Sequence, residues 1–177
     1  MVIKINKINK LIKLFLIIYY FVQNNSKDFI ICRAGWRMGG GEGKDKKFIQ
    51  KLIKQIKEGK KVLHIVDDKD GTPTYTHDFA INTKALIESK HIGLFNMVCG
   101  GLTSRLEVAQ DLLKILDLSY QIEIKKVSLD FFKDEYFVER PACERLINQR
   151  LDELNINLMR DWKVSLKECI KEYYPEY

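Results

Sequence analysis

The chain has 177 residues, 46% of them hydrophobic and 31% charged, with a net charge of +6. That is enough for one domain with a sizeable core, and the composition is ordinary for a soluble globular protein. Cys32, Cys99, Cys143 and Cys169 lie far apart with no C-x-x-C pair, which argues against a zinc site or a disulfide framework and for a reduced, cytoplasmic setting.

The charge is uneven. Residues 1–61 hold 15 Lys and Arg against 4 Asp and Glu, and the remainder holds 15 against 20. The excess reads as a lysine-rich solvated surface; a patch meeting phosphate, nucleic acid or anionic lipid is the alternative. Met1 to Lys13 is basic, and Leu14 to Val22 is an uncharged apolar run. The pair resembles the first two regions of a signal peptide, but no small-residue cleavage site follows. The run is too short for an ordinary transmembrane helix. Ile5, Ile8, Ile12, Phe15 and Tyr19 recur at helical spacing, so a helix packed on one face is expected.

Phe29 to Cys32 reads as a buried strand of a parallel sheet. Arg33 and Trp36 leave its end, where a ligand would be met; for Trp36 a core position is the alternative. The cluster Gly39 to Gly43 then forms a lid or a plain connection. Phe48, Ile49, Leu52, Ile53 and Ile56 make a helical stripe that Gly59 terminates. Val62 to Val66 is a second strand, stopped by the polar turn Asp67 to Gly71. Pro73 holds Thr72 extended, and Thr76 caps a helix facing inward through Phe79, Ala80, Thr83, Leu86 and Ile87. Gly93 to Cys99 is a third strand. Ser104 and Glu107 form a capping box for a helix with Leu106, Ala109, Leu112, Leu113 and Leu116 inward. Ile122 to Val127 is a half-exposed strand. Asp161 caps a last helix with Trp162, Leu166, Cys169, Ile170 and Tyr173 on one stripe. His64, His77 and His91 have no nucleophile or metal partner suggested by spacing.

Five stretches carry a more specific signal: Asp67-Asp68-Lys69-Asp70-Gly71-Thr72-Pro73-Thr74-Tyr75, Cys32 to Trp36, Gly93 to Gly101, Arg140-Pro141, and Asp161-Trp162. In this order they resemble the second half of dTDP-4-dehydrorhamnose reductases, members of the extended short-chain dehydrogenase/reductases. The resemblance runs from about Phe29 to the C-terminus. It implies an α/β fold: a partial Rossmann-like parallel sheet remnant with a small mixed α/β substrate-binding lobe. It divides the chain into a divergent basic and apolar N-terminal helix over 1–28 and a substrate-binding part over 29–177.

The resemblance also implies a nucleotide-sugar ligand, with Arg33, Trp36, Lys47, Phe48, Thr72, Pro73, Thr74 and Arg140 as its contacts. Arg140 would meet the diphosphate, since a guanidinium offers paired planar donors; a surface ion pair with Glu139, Glu144 or Asp134 is the alternative. Relatives have Asn where this chain has Lys47. Intact relatives reduce a 4-keto sugar with NADPH or NADH and protonate it from Tyr-x-x-x-Lys. Here Tyr19 and Tyr20 are followed four residues later by Gln23 and Asn24, and no G-x-x-G-x-x-G turn follows a strand. The expectation is no catalytic residue, no cofactor site and no reductase activity in this chain alone. Three readings follow: a sugar-nucleotide-binding module, a reductase completed by a separate nucleotide-binding chain, and a membrane-associated or regulatory interaction protein using residues 1–25. The edge left by the missing first strands would be covered by the N-terminal helix, another chain or a homodimer. No nucleic-acid partner is expected.

Overall fold

The computed structural model describes residues 10–45, 47–135 and 141–177. Helix α1, Lys10–Asn25, comes first, and its side chains Leu16, Ile17, Ile18, Tyr20 and Phe21 are exposed. Of the stripe expected over Ile5 to Tyr19, Ile5 and Ile8 lie outside the described residues; Ile12, Phe15 and Tyr19 fall in α1, and Tyr19 is half-buried. Among the described residues no helix is long and apolar enough to cross a membrane.

Strand β1, Ile30–Arg33, pairs in parallel with β6, Gly93–Asn96, in the register Ile30 to Gly93. Strand β2, Trp36–Met38, pairs in parallel with β5, Pro73–Tyr75. Strand β3, Val62–Val66, pairs in parallel with β8, Glu123–Val127. A three-stranded piece has β4, Asp70–Gly71, at its centre, antiparallel to β7, Thr103–Ser104, and parallel to β9, Cys143–Glu144. The polar turn expected over Asp67 to Gly71 therefore ends in a strand. Its pairing partners lie far away in sequence, and local residue preferences do not reveal them.

The helices are α2, Gly41–Lys44; α3, Phe48–Lys57; α4, Thr76–Glu88; α5, Arg105–Ile115; α6, Gln149–Glu153; and α7, Trp162–Tyr173. The capping box of Ser104 and Glu107 is formed, Asp161 caps α7, and Gly59 follows α3 at φ 80°. These three termini match the sequence because each is settled within one turn of chain. Helix α4 differs. It begins at Thr76 with extended Tyr75 ahead of it, and the Thr76 side chain does not cap it.

The inward face of α4 differs as well. Asp78, Asn82 and Leu86 are buried, while Ala80 and Ile87 face out. The C-terminal segment supplies polar partners that let this face enter the core. Asn82 Nδ2 donates to Ile156 O, and Asn82 Oδ1 accepts from Leu158 N at 2.8 Å. Hydrophobic periodicity does not register a buried face whose polar groups are satisfied across the chain.

Two cores result. The larger joins α3, α5, α7 and β3 through Leu52, Ile53, Leu63, Ile65, Leu112 and Leu166. The smaller lies around Leu86, Phe95, Met97, Leu151 and Met159, with Ile30 and Cys32 against it.

Candidate functional site

The Cys32 to Trp36 segment and the Asp70 to Tyr75 segment are pressed together, and glycine makes this possible. Gly35 N donates to Thr74 Oγ1 at 2.9 Å, and Trp36 N donates to Thr72 O at 2.9 Å. A Cβ on Gly35 would fall 2.1 Å from Thr72 O; one on Gly71 would fall 2.0 Å from the Trp36 ring. Neither position has room for a larger residue without backbone or ring displacement.

Trp36, fixed in this way, sits at the wall of an open cleft of about 510 Å³. Gly35, Arg37, Lys47, Arg105, Cys143, Glu144, Arg145 and Leu146 complete most of that wall. The Arg105 guanidinium carbon lies 3.8 Å from the Trp36 ring centroid and 4.5 Å from that of Phe48. Trp36 Nε1 donates to Glu144 Oε2 at 2.7 Å, and Lys69 Nζ lies 3.1 Å from the same oxygen. Lys69 is 4% exposed and also donates to Pro141 O at 2.5 Å. Burial works against the Glu144 charge. Hydrogen bonds from Trp36 and Lys69, with the charges of Lys69 and Arg105, outweigh it and hold the carboxyl below its ordinary value.

A second groove of about 510 Å³ adjoins the first and shares Lys47 and Arg105 with it. It is lined by Phe48, Lys51, Lys60, His64, Val66, Lys69, Phe131 and Phe132 among others, with no carboxylate among the described residues. His64 and Phe131 stack at 5.1 Å with 12° between their planes. Lys47 is set in place by its own backbone, whose N–H donates to the buried Asp45 Oδ1 at 2.8 Å just ahead of α3.

The expected contacts separate into three groups. Trp36, Lys47 and Phe48 line the two grooves. Thr72, Pro73 and Thr74 are buried behind them, and the threonine hydroxyls bond the protein itself. Leu146 N donates to Thr72 Oγ1 at 3.0 Å, so Thr72 anchors the segment carrying Glu144 and Arg145. That segment is also held by Asn148, whose amide accepts from Val98 N and donates to Val98 O. Arg33 is exposed at the end of β1 and is not part of either lining. Arg140 lies outside the described residues.

Sequence reasoning missed Arg105, Lys69 and Glu144. Arg105 was hidden inside a capping box, and Lys69 inside the turn. Glu144 lies four residues past Arg140, but its pairing with Trp36 spans 108 positions and has no local signal.

The glycine cluster does not fit a dinucleotide. Gly39, Gly40 and Gly41 have φ of 115°, 94° and 65°. Cβ atoms there would meet Thr76 Oγ1 at 2.3 Å from Gly39 and the Tyr173 ring at 3.3 Å from Gly41. These glycines serve close packing against α4 and α7, and the helix they open has only four residues.

The sequence model of the family described as RmlD substrate binding domain matches residues 20–175. The spore coat polysaccharide biosynthesis protein SpsK of Bacillus subtilis is 28% identical over 85% of this chain and 50% of its own length. A dTDP-4-dehydrorhamnose reductase structure from Clostridium acetobutylicum aligns with TM-score 0.77 and 26% identity, over 86% of this chain and 51% of that one. One from Bacillus anthracis in complex with NADP aligns with TM-score 0.77 and 22% identity, over 86% and 52%. The chain thus spans about half the length of the relatives it matches, and its α/β fold with short parallel sheet pieces is Rossmann-like as in those reductases. The resemblance read from the five stretches is borne out.

Proposed function

We propose, from the premise that the chain belongs to the RmlD substrate binding domain family, that it is the nucleotide-sugar-binding portion of an NAD(P)H-dependent sugar-nucleotide reductase. The observation that carries this reading is the pair of adjoining grooves with Lys47 and Arg105 at their junction. One groove is aromatic and cationic, with no carboxylate among the described residues; the other holds Trp36, Glu144 and Arg145. A base against Phe131 and His64, a diphosphate across Lys47 and Arg105, and a sugar toward Glu144 match that chemistry. Arg140 is a further phosphate contact in this reading, while Thr72, Pro73 and Thr74 position the wall. The ligand is a dTDP-4-keto-6-deoxyhexose or a close relative.

The cofactor supplies the hydride in such reductases; this chain binds and orients the sugar nucleotide. Its sequence has no Tyr-x-x-x-Lys ahead of β1, and among the described residues the Gly39 to Gly41 turn is filled by Thr76 and Tyr173. We read reduction as requiring a cofactor-binding part beyond these residues. The four free cysteines fit a reducing, cytoplasmic setting. Calorimetric titration with dTDP-glucose tests the binding. Wild type binds, and Arg105→Ala loses roughly 1.5–3 kcal/mol, the worth of a charge-assisted contact. No heat of binding in wild type ends the reading, as does steady NADPH oxidation by the protein alone with dTDP-4-keto-6-deoxyglucose.

A second reading, completion by a separate nucleotide-binding chain, is favoured by two features. Among the described residues β1 has β6 as its single ladder partner, and α1 exposes Leu16, Ile17, Ile18, Tyr20 and Phe21. An open strand edge and an exposed apolar helix face are each surfaces that another chain would cover. Coexpression with a chain carrying the Gly-rich turn and Tyr-x-x-x-Lys, followed by copurification and turnover, decides it.

A further inference from the structure

Among the described residues Glu144 is the one carboxylate in the lining of a cleft that also holds Arg37, Lys47, Arg105 and Arg145. A fixed negative charge there repels the phosphates that the four cations attract, so a cleft serving phosphate alone would do better without it. Part of the explanation is structural. Lys69 is almost wholly buried, and an ammonium so placed needs a counter-ion. This accounts for only half of the carboxylate. Trp36 Nε1 and Lys69 Nζ both address Oε2. Among the described residues no hydrogen bond reaches Oε1, although 32% of the Glu144 side chain is exposed in the cleft wall.

Trp36 cannot serve as an open stacking platform, because its ring is occupied by Gly71 and Arg105. Its indole N–H instead holds the carboxylate still. An anchored carboxylate whose second oxygen has no partner among the described residues is an acceptor matched to a neutral hydroxyl.

We propose that Glu144 is a specificity-determining residue of this cleft: Oε1 accepts a hydrogen bond from a ring hydroxyl of the bound sugar. The inference deepens the sugar-nucleotide reading and rests on it. It orients the ligand, with the sugar at the Glu144 end and the nucleotide in the groove of Lys47, Arg105, His64 and Phe131. No bond is made or broken by Glu144, which recognises but does not react.

The test compares dTDP with dTDP-glucose on the full chain by calorimetry, in wild type, Glu144→Gln and Glu144→Asp. Glu144→Gln keeps a side-chain oxygen for Trp36 and Lys69; Glu144→Asp keeps the charge but withdraws it by one methylene. Wild type should bind dTDP-glucose more tightly than dTDP. Glu144→Asp should bind dTDP as wild type does. Glu144→Gln, which removes the charge facing the phosphates, should bind dTDP as tightly or more tightly. Both should lose about tenfold to about a hundredfold in dTDP-glucose affinity, the range for a hydrogen bond to a charged group. Among dTDP-monodeoxyglucoses, the one lacking the recognised hydroxyl should lose affinity for wild type and lose no more on Glu144→Gln. A purely structural Glu144 gives the opposite pattern, with dTDP and dTDP-glucose weakened equally in the variants. That result overturns the proposal, as does an unchanged preference for dTDP-glucose. If wild type binds neither ligand, the sugar-nucleotide reading falls and this inference falls with it.

Discussion

Arg160 Nη2 lies 2.6 Å from Asp78 Oδ1, and this contact joins the segment before the last helix to the first turn of α4. Arg160 Nε donates to the same oxygen at 2.9 Å, Ser165 Oγ donates to Asp78 Oδ2 at 2.8 Å, and Glu168 takes the far side of the guanidinium. Asp78 is 2% exposed and Arg160 36%. Removing Arg160 would strand a buried carboxylate. Arg160→Ala should cost about 2–3 kcal/mol in urea unfolding, less than for a wholly buried pair because the guanidinium reaches solvent. Arg160→Lys, which loses the fork, should recover only part.

Acid should weaken the fold through Glu144 and Glu168. The Arg160 hydrogen bonds hold Glu168 below its ordinary value, and Glu144 is held down by Trp36 and Lys69 against its burial. A carboxyl whose folded-state pKa is depressed stabilises the protein when ionised. That contribution is complete above about pH 4.3 and is lost as pH falls through the lower folded values. Asp45 works in the other direction, since burial pushes it up and acid relieves its cost. Thermal melts between pH 7 and pH 3 should show a net fall, with a shallower slope in Glu168→Gln.

Gly71→Ala should displace Trp36. A methyl at that position would fall 2.0 Å from the ring, and the ring is also covered by Arg105. The expected cost is about 1–3 kcal/mol for overpacking. The indole should lose its bond to Glu144, visible as a shift in tryptophan emission. An unchanged emission spectrum would show that the wall does not depend on this contact.

The thiols should separate by burial. Cys169 is pushed up to about 12 by desolvation first and by nearby Asp45 and Glu172 second. Burial raises Cys99 and Cys32 as well. Cys143 is exposed in the cleft lining. Native protein should therefore show one fast thiol with a disulfide reagent, absent in Cys143→Ser. Saturating dTDP-glucose should slow that phase, because ligand and thiol share the cleft.

The sequence by itself determined the family, the α/β class, most helix termini and the inward stripes of α3, α5 and α7. Those features are written within one or two turns of chain, where caps and apolar spacing act. It also marked Trp36, Lys47 and Phe48, which line the grooves. Tertiary structure alone decided that β4 and β5 flank Thr72, that Asp78 and Asn82 face the core, and that Arg105 and Glu144 meet at Trp36. Each of those arrangements joins residues dozens of positions apart. A buried polar group or a shared carboxylate is stable only when its distant partner arrives, and no local pattern announces that partner.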